Sequence, residues 1–317
     1  MAFSQTLDYA FFEGEIVPFG EAKVSIGTHA LQYGTGAFAG IRGYLDADGE
    51  TINIFRLPDH CARLLRSGKL LRAELPYTAE MVAETIVELT RRNAPTGDVY
   101  YRPFIYKSAV QLTPRLKGLD DELAIYMLPM GDYLDTTRGQ RAIVSSWTRI
   151  ADNAIPSRGK LTGAYINSAL AKDEAEEKGA DEAIMLDTDG KVAEGSGCNL
   201  FIVRDGVLIT PPITNDILEG ITRRTFLQFA LDLGIPTEQR RIDRSELYIA
   251  DEAFFCGTGV QLCPIATIDG RPIGAGGASP LGDHLRTTFY DTVRGRSDRY
   301  RAWLTPVSVR AAAGVRG

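Results

Sequence analysis

Lys160 is the residue whose setting most favours covalent chemistry. The chain has eight lysines, and none follows Lys191, so each can be compared with the others. Lys160 lies in a loop with Gly159 before it and Gly163 after it, and glycines allow a backbone to approach a bulky group closely. A nearby cation such as Arg158 favours the neutral amine that a nucleophile requires. On spacing alone, a lysine of an ordinary surface loop remains the more common alternative.

Glu194 is a carboxylate flanked by small residues between two predicted strands. It belongs to segment 192–200, which reads Val-Ala-Glu-Gly-Ser-Gly-Cys-Asn-Leu. A glutamate with such close backbone access suits the protonated ring nitrogen of a cofactor. An acidic residue beside glycine is also common in turns, so this segment alone decides little.

Two further segments have the composition of anion-binding turns. Gly220 and Thr222 stand at the start of a predicted helix, where free backbone N–H groups and the positive end of the helix dipole favour a phosphate. A plain helix cap would have a similar sequence. Segment 256–259, Cys-Gly-Thr-Gly, supplies a second turn with a hydroxyl group after a predicted strand, again consistent with anion binding.

Tyr100 and Arg102 lie two residues apart on a predicted strand. Because side chains alternate between the two faces of a strand, both should point to the same face. A phenol and a guanidinium side by side form a good clamp for a carboxylate. A structural salt bridge is the alternative for this arginine.

The composition argues against several classes of function. A net charge of −6 over 317 residues does not suit a general nucleic-acid binder. No apolar run approaches the ~20 residues of a membrane helix, and no secretory signal is visible. The four cysteines form no C-x-x-C pair and there are only three histidines, so no metal centre or disulfide framework is expected. These features predict a protein of the reducing cytoplasm with no nucleic-acid or membrane partner.

The chain is long enough for two domains of ordinary size. We expect a small N-terminal α/β domain over residues 1–135 and a large C-terminal domain over residues 136–317. The pattern breaks at about 131–139, which is the predicted linker. A tail at about 306–317 is predicted to be disordered.

The first half of the chain is predicted to contain short strands joined by turns, together with two helices. A hairpin is predicted around residues 13–14, and further strands at 98–107 and 122–130. Pro58 should open a helix that runs to about residue 75. A second helix should follow Thr78, with the apolar residues Met81, Val82, Ile86 and Leu89 on one face.

The second half mixes strands and helices, so the whole chain is predicted to be α+β or α/β. Asp189-Gly190 and Asp205-Gly206 are strong hairpin turns. Helices are expected at about 166–178 and 221–233, and strands at about 141–147, 182–187, 199–203, 207–210 and 252–256.

In their order along the chain, these segments resemble the fold type IV enzymes that use pyridoxal 5′-phosphate (PLP), and specifically the branched-chain amino-acid aminotransferases. The resemblance covers about residues 8–305, and its most specific stretches are 145–165, 194–201 and 220–223. It implies the D-amino-acid aminotransferase-like fold. It also implies transfer of an amino group between a branched-chain or other hydrophobic L-amino acid and 2-oxoglutarate.

The resemblance assigns roles to residues around the cofactor. Lys160 would bind PLP as a Schiff base and would move the proton between substrate Cα and cofactor C4′. Tyr165 would contact the phenolic oxygen of the cofactor, and Glu194 would pair with its ring nitrogen. The other residues of the cofactor set, mostly around the phosphate, would be Arg56, Leu218, Gly220, Ile221, Thr222, Gly257 and Thr258.

The resemblance also implies a substrate pocket and a subunit partner. Tyr100 and the amides of Thr258 and Gly259 would bind the α-carboxylate. Arg102 would receive the distal carboxylate of glutamate, and Phe38 would accept an aliphatic chain. Family members pair their subunits, so a homodimer or a larger assembly of dimers is expected. The complete substrate set would be Tyr33, Phe38, Tyr100, Arg102, Tyr133, Thr258 and Gly259.

Four positions depart from the family pattern, namely Ala39, Met130, Cys198 and Gly259. Most of these changes remove volume or charge near the pocket, so a wider or shifted range of substrates is expected. The alternatives are a D-amino-acid or (R)-amine transaminase of the same fold and, more distantly, an aminodeoxychorismate lyase. A cofactor-free binding protein would not need the lysine, tyrosine and glutamate of the cofactor set. Segment 34–36, Gly-Thr-Gly, lacks the spacing of a dinucleotide-binding loop.

Overall fold

The computed structural model describes residues 6–131, 139–277 and 279–309. The predicted domain boundary after residue 135 stays a prediction, and most of the predicted linker lies outside the described residues. Contacts within the chain define two compact units. Among the described residues, the first comprises 6–131, Gly159–Gly163 and 290–309, and the second comprises 139–158, 164–277 and 279–289.

The first unit is built on an antiparallel sheet. Its order is β17-β5-β4-β6-β7-β1-β2, and β3 pairs with β6. Phe12 pairs with Glu15, which confirms the predicted hairpin. The strands are Tyr9–Phe12 (β1), Glu15–Pro18 (β2), Gly36–Phe38 (β3), Ile41–Leu45 (β4), Thr51–Phe55 (β5), Val99–Lys107 (β6), Asp121–Pro129 (β7) and Leu304–Ser308 (β17). Residues 306–308, which were assigned to the C-terminal tail, therefore lie in a strand.

Among the described residues, three α-helices lie wholly within this unit: His29–Tyr33 (α1), Leu57–Leu70 (α2) and Ala79–Asn93 (α3). Helix α2 ends before its predicted limit near residue 75, because Arg72 has a φ of 52°, which a right-handed helix does not accommodate. The predicted start of α3 is confirmed, since the Thr78 hydroxyl accepts a hydrogen bond from the Met81 backbone N–H at 3.2 Å.

Helices α2 and α3 cover one face of this sheet with an apolar core. Of the four apolar residues expected on one face of α3, Val82, Ile86 and Leu89 are buried in this core, whereas Met81 is 42% exposed and lies outside it. Each fully buried side chain of this kind contributes about 1.5–3 kcal/mol. The core also includes Leu57, Cys61 and Leu64 of α2 and Ile41, Ile52, Ile54, Tyr101, Ile105 and Ile125 of the sheet.

The second unit contains a mixed sheet with the order β10-β9-β8-β15-β14-β11-β12-β13, and β16 pairs with β15. Strand β8 runs parallel to both of its neighbours. The strands are Gln140–Val144 (β8), Glu182–Leu186 (β9), Val192–Gly195 (β10), Asn199–Arg204 (β11), Val207–Thr210 (β12), Thr237–Gln239 (β13), Glu252–Gly257 (β14), Gln261–Ile268 (β15) and Arg271–Pro272 (β16).

The helices of the second half are Tyr165–Glu177 (α4), Ile221–Asp232 (α5) and Pro280–Val293 (α6). The predicted hairpin turn at Asp205-Gly206 is confirmed, because both residues have positive φ values and Arg204 pairs with Val207. Predicted strand 141–147 is too long, since β8 ends at Val144. None of the described helices combines the length and hydrophobicity needed to cross a membrane.

Aromatic packing fixes helix α5 on the sheet of the second unit. The Phe226 ring lies 6.5 Å from that of Phe254 on β14, and Phe254 stacks on Phe201 of β11 at 5.4 Å. Phe226 also contacts Phe289 at 5.6 Å. Such ring pairs contribute about 0.5–1.5 kcal/mol beyond the area that they bury. The direction of the N-terminus of α5 is therefore set by packing within this unit.

Glu246 is the centre of an ion-pair network in the same unit. Its two carboxylate oxygens accept hydrogen bonds from Arg240 at 3.0 and 2.8 Å and from Arg204 at 2.9 Å. The backbone N–H of Asp243 donates to the same group at 3.0 Å. The hydrogen bonds from Arg240, opposed by burial, lower the pKa of Glu246 from 4.5 to about 2.

We predict that Glu246→Gln lowers the free energy of unfolding at pH 7 by about 2 kcal/mol, since hydrogen bonds to a charged group are lost. The folded-state pKa of Glu246 lies below its ordinary value, so the stabilisation is complete above pH 4.5 and disappears as the pH falls towards 2. Urea unfolding of both proteins across this range measures the difference. Glu238→Gln, which changes a half-exposed partner of Arg240, should have little effect. A difference that persists unchanged at the acidic end of the range would contradict the explanation.

Candidate active site

The backbone of Lys160 is held between a strand and a helix of the first unit. Its carbonyl accepts a hydrogen bond from the Phe38 N–H of β3 at 2.9 Å. Its own N–H donates to the Ser67 hydroxyl of α2 at 3.2 Å. The Lys160 Nζ atom lies 5.1 Å from the centre of the Phe38 ring, which is the geometry of a cation–π contact. The position of the lysine is therefore fixed from two sides.

The glycines around Lys160 serve a close approach between two stretches of backbone. The Gly163 N–H donates to the Gly34 carbonyl at 3.0 Å, and a Cβ on Gly34 would lie 2.9 Å from the Gly163 Cα. Gly34 also has a φ of 65°, which favours glycine. Thr162 adds a hydroxyl bond to the Gly34 carbonyl at 2.7 Å. A Cβ on Gly159 would contact the Leu70 side chain. Protein atoms therefore occupy the space beside these glycines, where the sequence suggested room for a bulky group.

Tyr100 and Arg102 lie side by side on β6, as the two-residue spacing predicted. The Arg102 guanidinium donates a hydrogen bond to the Tyr100 hydroxyl at 3.1 Å. It also lies 4.5 Å from the centre of the Phe38 ring. A Cβ on Gly40 would come within 2.1 Å of the Tyr100 hydroxyl. Two cationic and two aromatic side chains therefore form one cluster within the first unit, namely Arg102, Lys160, Phe38 and Tyr100.

Two other predicted residues of the first unit have defined partners. Tyr33 ends α1 with a side chain that is 41% exposed, and its ring lies 4.6 Å from that of buried His29. Arg56 precedes α2 with a φ of 50° and donates to Asp59 at 2.8 Å. Its guanidinium lies 4.8 Å from the Trp303 ring, a contact that the local sequence did not predict. Predicted Tyr133 lies outside the described residues.

Glu194 is a buried carboxylate on β10 of the second unit, only 5% exposed. Its Oε1 atom lies 3.0 Å from the Arg149 guanidinium. Its Oε2 atom accepts hydrogen bonds from the Asn199 side-chain amide at 2.8 Å and from the Leu218 N–H at 3.2 Å. A guanidinium at this distance stabilises the negative charge of a carboxylate. The role of Arg149 was missed from the sequence, since nothing in its local pattern links it to Glu194.

The N-terminus of α5 lies directly after Leu218 in the chain. Gly220 precedes the helix and provides no side-chain cap. Ile221 and Thr222 are buried in the first turn, where backbone N–H groups have no partner within the helix. A Cβ on Gly220 would come within 1.9 Å of the Asn199 Oδ1 atom, so only glycine fits there. Such amides, together with the positive end of the helix dipole, have the chemistry that favours an anion, and Gly220 places them next to the Asn199 side chain.

The remaining predicted residues of the second unit begin or end regular elements. Tyr165 is the first residue of α4, and Gly257 is the last residue of β14. Gly257 pairs with Gln261, the first residue of β15, so Thr258 and Gly259 form the connecting turn that the sequence predicted. Their assigned roles toward a cofactor or substrate stay predictions.

Cys198, one of the four departures, is buried and lies close to the backbone of β10. A Cβ on Gly195 would come within 2.6 Å of its Sγ atom. Burial and the nearby Glu182 carboxylate raise the pKa of the Cys198 thiol well above its ordinary value. Burial likewise raises the pKa of Cys256. Both residues are therefore neutral packing groups at neutral pH.

The first unit provides a lysine in a rigid loop, and the second provides a charge-balanced buried carboxylate and an open helix N-terminus. Taken one by one, the lysine suits an aldehyde, the carboxylate a protonated ring nitrogen and the helix N-terminus a phosphate, which are the parts of a phosphorylated pyridine cofactor. The class that they define is a cofactor-dependent enzyme of mixed α/β fold. Residues 36–268 match the family model described as amino-transferase class IV. The chain belongs to the amino-transferase class IV family.

Similar proteins cover almost the whole chain. A probable branched-chain-amino-acid aminotransferase of Aquifex aeolicus is 48% identical over 96% of this chain and 98% of its own length. The branched-chain aminotransferase of Thermoproteus uzoniensis with norvaline has a TM-score of 0.91 and 45% identity, and the match covers 95% of this chain and 99% of that one. The branched-chain amino acid aminotransferase of Thermobaculum terrenum in its PLP form has a TM-score of 0.91 and 40% identity, over 96% and 99% of the two chains.

We predict that Gly40→Ala raises the KM for the amino donor about tenfold, which corresponds to about 1.4 kcal/mol of binding energy. The added methyl group would displace the Tyr100 hydroxyl from its contact with Arg102. Steady-state kinetics with varied amino donor measure the effect. Gly20→Ala is the matched control, because a Cβ there meets no atom within 4 Å. An unchanged KM in Gly40→Ala would show that Tyr100 does not bind the donor.

Proposed function

We propose that the protein is a PLP-dependent transaminase that moves an amino group between a branched-chain or other hydrophobic L-amino acid and 2-oxoglutarate. The observation that carries this proposal is the buried Glu194 carboxylate, which accepts a hydrogen bond from Leu218 in the segment that leads into α5. The relatives named above support the substrate class, since they are branched-chain aminotransferases. The D-amino-acid, (R)-amine and lyase alternatives receive no such support.

The cofactor, when bound, supplies an electron sink for the negative charge that develops at the substrate Cα. Lys160 would anchor it and Glu194 would pair with its ring nitrogen, while Tyr165 would contact its phenolic oxygen. The amides of Ile221 and Thr222 would hold the phosphate at the start of α5. The other residues that we assign to the cofactor are Arg56, Leu218, Gly220, Gly257 and Thr258.

The Lys160 amine would carry the proton in both half-reactions. Its Nζ atom would take the proton from the substrate Cα as a general base and would then give up a proton as a general acid. The hydrogen bonds from Phe38 and to Ser67 hold the lysine backbone during both transfers. A fixed backbone reduces the conformational freedom that would otherwise be lost at each step.

The cluster around Phe38 can serve two kinds of substrate in succession. The Phe38 ring offers an apolar surface for an aliphatic side chain. The Arg102 guanidinium, held by Tyr100, offers donors for the distal carboxylate of glutamate. We assign the α-carboxylate to Tyr100 and to the amides of Thr258 and Gly259. Tyr33 and Tyr133 complete the proposed substrate set.

We predict that Lys160→Ala loses transamination between L-leucine and 2-oxoglutarate by at least about 10³-fold, because no other group assigned to the site would move the proton. Purified wild-type protein should have a visible PLP absorbance that changes with L-leucine and returns with 2-oxoglutarate. Lys178→Ala, which changes an exposed lysine of an ion pair at the end of α4, is the control and should behave as wild type. Colourless protein that PLP does not reconstitute would refute the function, and faster turnover of (R)-1-phenylethylamine than of L-leucine would refute the substrate class.

We also propose that the protein is a homodimer or a larger assembly of dimers in the cytoplasm. The four cysteines are free thiols, which is typical of a reducing compartment.

A surface of the first unit exposes large apolar side chains around α1 and the loop after β6. His29 ties these segments together through a hydrogen bond of its N–H to the Ala109 carbonyl. The exposed residues are Ile26, Leu31, Val110 and Leu112, each at least 63% exposed, and such a surface is typical of an interface.

We predict that Leu112→Glu shifts the protein toward the monomer, because a charge would be buried at the subunit interface. Sedimentation velocity at micromolar concentration measures the change. Met81→Glu, at an exposed position of α3, is the control and should leave the assembly intact. Identical sedimentation of Leu112→Glu and wild type would remove this surface from the proposed interface.

A further inference from the structure

Arg149 joins Glu194 to the segment that leads into α5. One nitrogen of its guanidinium lies 3.0 Å from Glu194 Oε1. The Nε atom of the same side chain donates to the Asp216 carbonyl at 3.2 Å. The Arg149 backbone is itself anchored, since its N–H donates to the Leu186 carbonyl at 2.7 Å. The side chain is 11% exposed, so its two contacts are largely shielded from water.

A second bridge runs beside the first. The Asn199 side-chain amide donates to Glu194 Oε2 at 2.8 Å and to the Leu218 carbonyl at 3.1 Å. Asp216 also contacts the stretch of chain that follows Arg149, because its side chain accepts a hydrogen bond from the Asp152 N–H at 3.0 Å. Segment 216–220 is therefore attached to the Glu194 carboxylate through both of its oxygens.

We propose that Arg149 is a positioning residue that balances the charge of Glu194 and sets the segment before α5, so that the ring-nitrogen and phosphate contacts of the cofactor are fixed together. This inference rests on the proposed function. A merely structural arginine would stabilise the fold without affecting how the bound cofactor titrates. If the arginine has the proposed role, its removal changes both the retention of PLP and the pH at which the bound cofactor is protonated.

The test compares Arg149→Met and Arg149→Lys with wild type as holoenzymes. Methionine keeps much of the length and apolar volume but removes the charge and both contacts. Lysine keeps a point charge for Glu194 but lacks the planar fork that reaches Asp216 as well. PLP release after dilution, followed by visible absorbance, reports on retention. The pH midpoint of the absorbance of the bound cofactor reports on charge.

We expect Arg149→Met to release PLP about tenfold faster, in the range seen when residues that orient a ligand's partner are removed. Its absorbance midpoint should move to higher pH by about one unit, because a positive charge near the ring has been lost. Arg149→Lys should also release PLP faster but keep the wild-type midpoint. Arg204→Met, which removes a comparable ion pair to Glu246, is the matched control and should change neither quantity.

If Arg149→Met has the same rate of PLP release and the same pH midpoint of absorbance as wild type, the inference about Arg149 is overturned. The proposed function would still stand in that case. The same changes in Arg204→Met would also overturn it, since they would be a general effect of lost stability. If Arg149→Met does not fold, Arg149→Lys decides, because unchanged PLP release in that variant contradicts the bridge to Asp216. Wild-type protein without PLP absorbance would overturn the proposed function and this inference with it.

Discussion

The burial of a negative charge at Glu194 determines the arrangement of the second unit around it. A carboxylate removed from water costs several kcal/mol unless it is paired and its oxygens accept hydrogen bonds. Arg149, Asn199 and the Leu218 N–H meet this requirement, and each comes from a different stretch of the chain. The need to compensate one charge thus brings three segments together, and it holds Leu218, which lies shortly before α5, against the carboxylate.

In the first unit, neutral contacts between backbones have the corresponding role. Lys160 is positioned by hydrogen bonds of its N–H and carbonyl, and Gly163 lies against Gly34 at a distance that any Cβ would prevent. These backbone contacts do not involve the Lys160 Nζ atom, so the position of the backbone does not depend on the charge of the amine, whereas the contact of Nζ with the Phe38 ring does. A proton-carrying group benefits from this separation, since its surroundings need not rearrange when its charge changes.

Features encoded by neighbours in the sequence were predictable, and features that join distant segments were not. The spacing of Tyr100 and Arg102 and the cap at Thr78 follow from local rules and were confirmed. Arg149 and Glu194 are far apart in the chain, and no local pattern pairs them. The addition of β17 to the edge of the first sheet beside β5 was missed for the same reason. Met81 was grouped with Val82, Ile86 and Leu89 on one helix face, but periodicity does not locate the edge of an apolar stripe, and Met81 is exposed.

Cys198 shows how the charge balance of the second unit extends beyond the paired residues. The carboxylates of Glu182 and Glu194 both help to raise the pKa of this buried thiol, so it stays neutral. A carboxylate at this position would add a buried negative charge near Glu182 and Glu194, and repulsion between like charges disfavours that arrangement. A small neutral group leaves the arginine paired with Glu194. Cys198 is therefore compatible with a Glu194 carboxylate that pairs with a ring nitrogen. Because the thiol is neutral, it does not disturb the charge balance between Glu194 and Arg149.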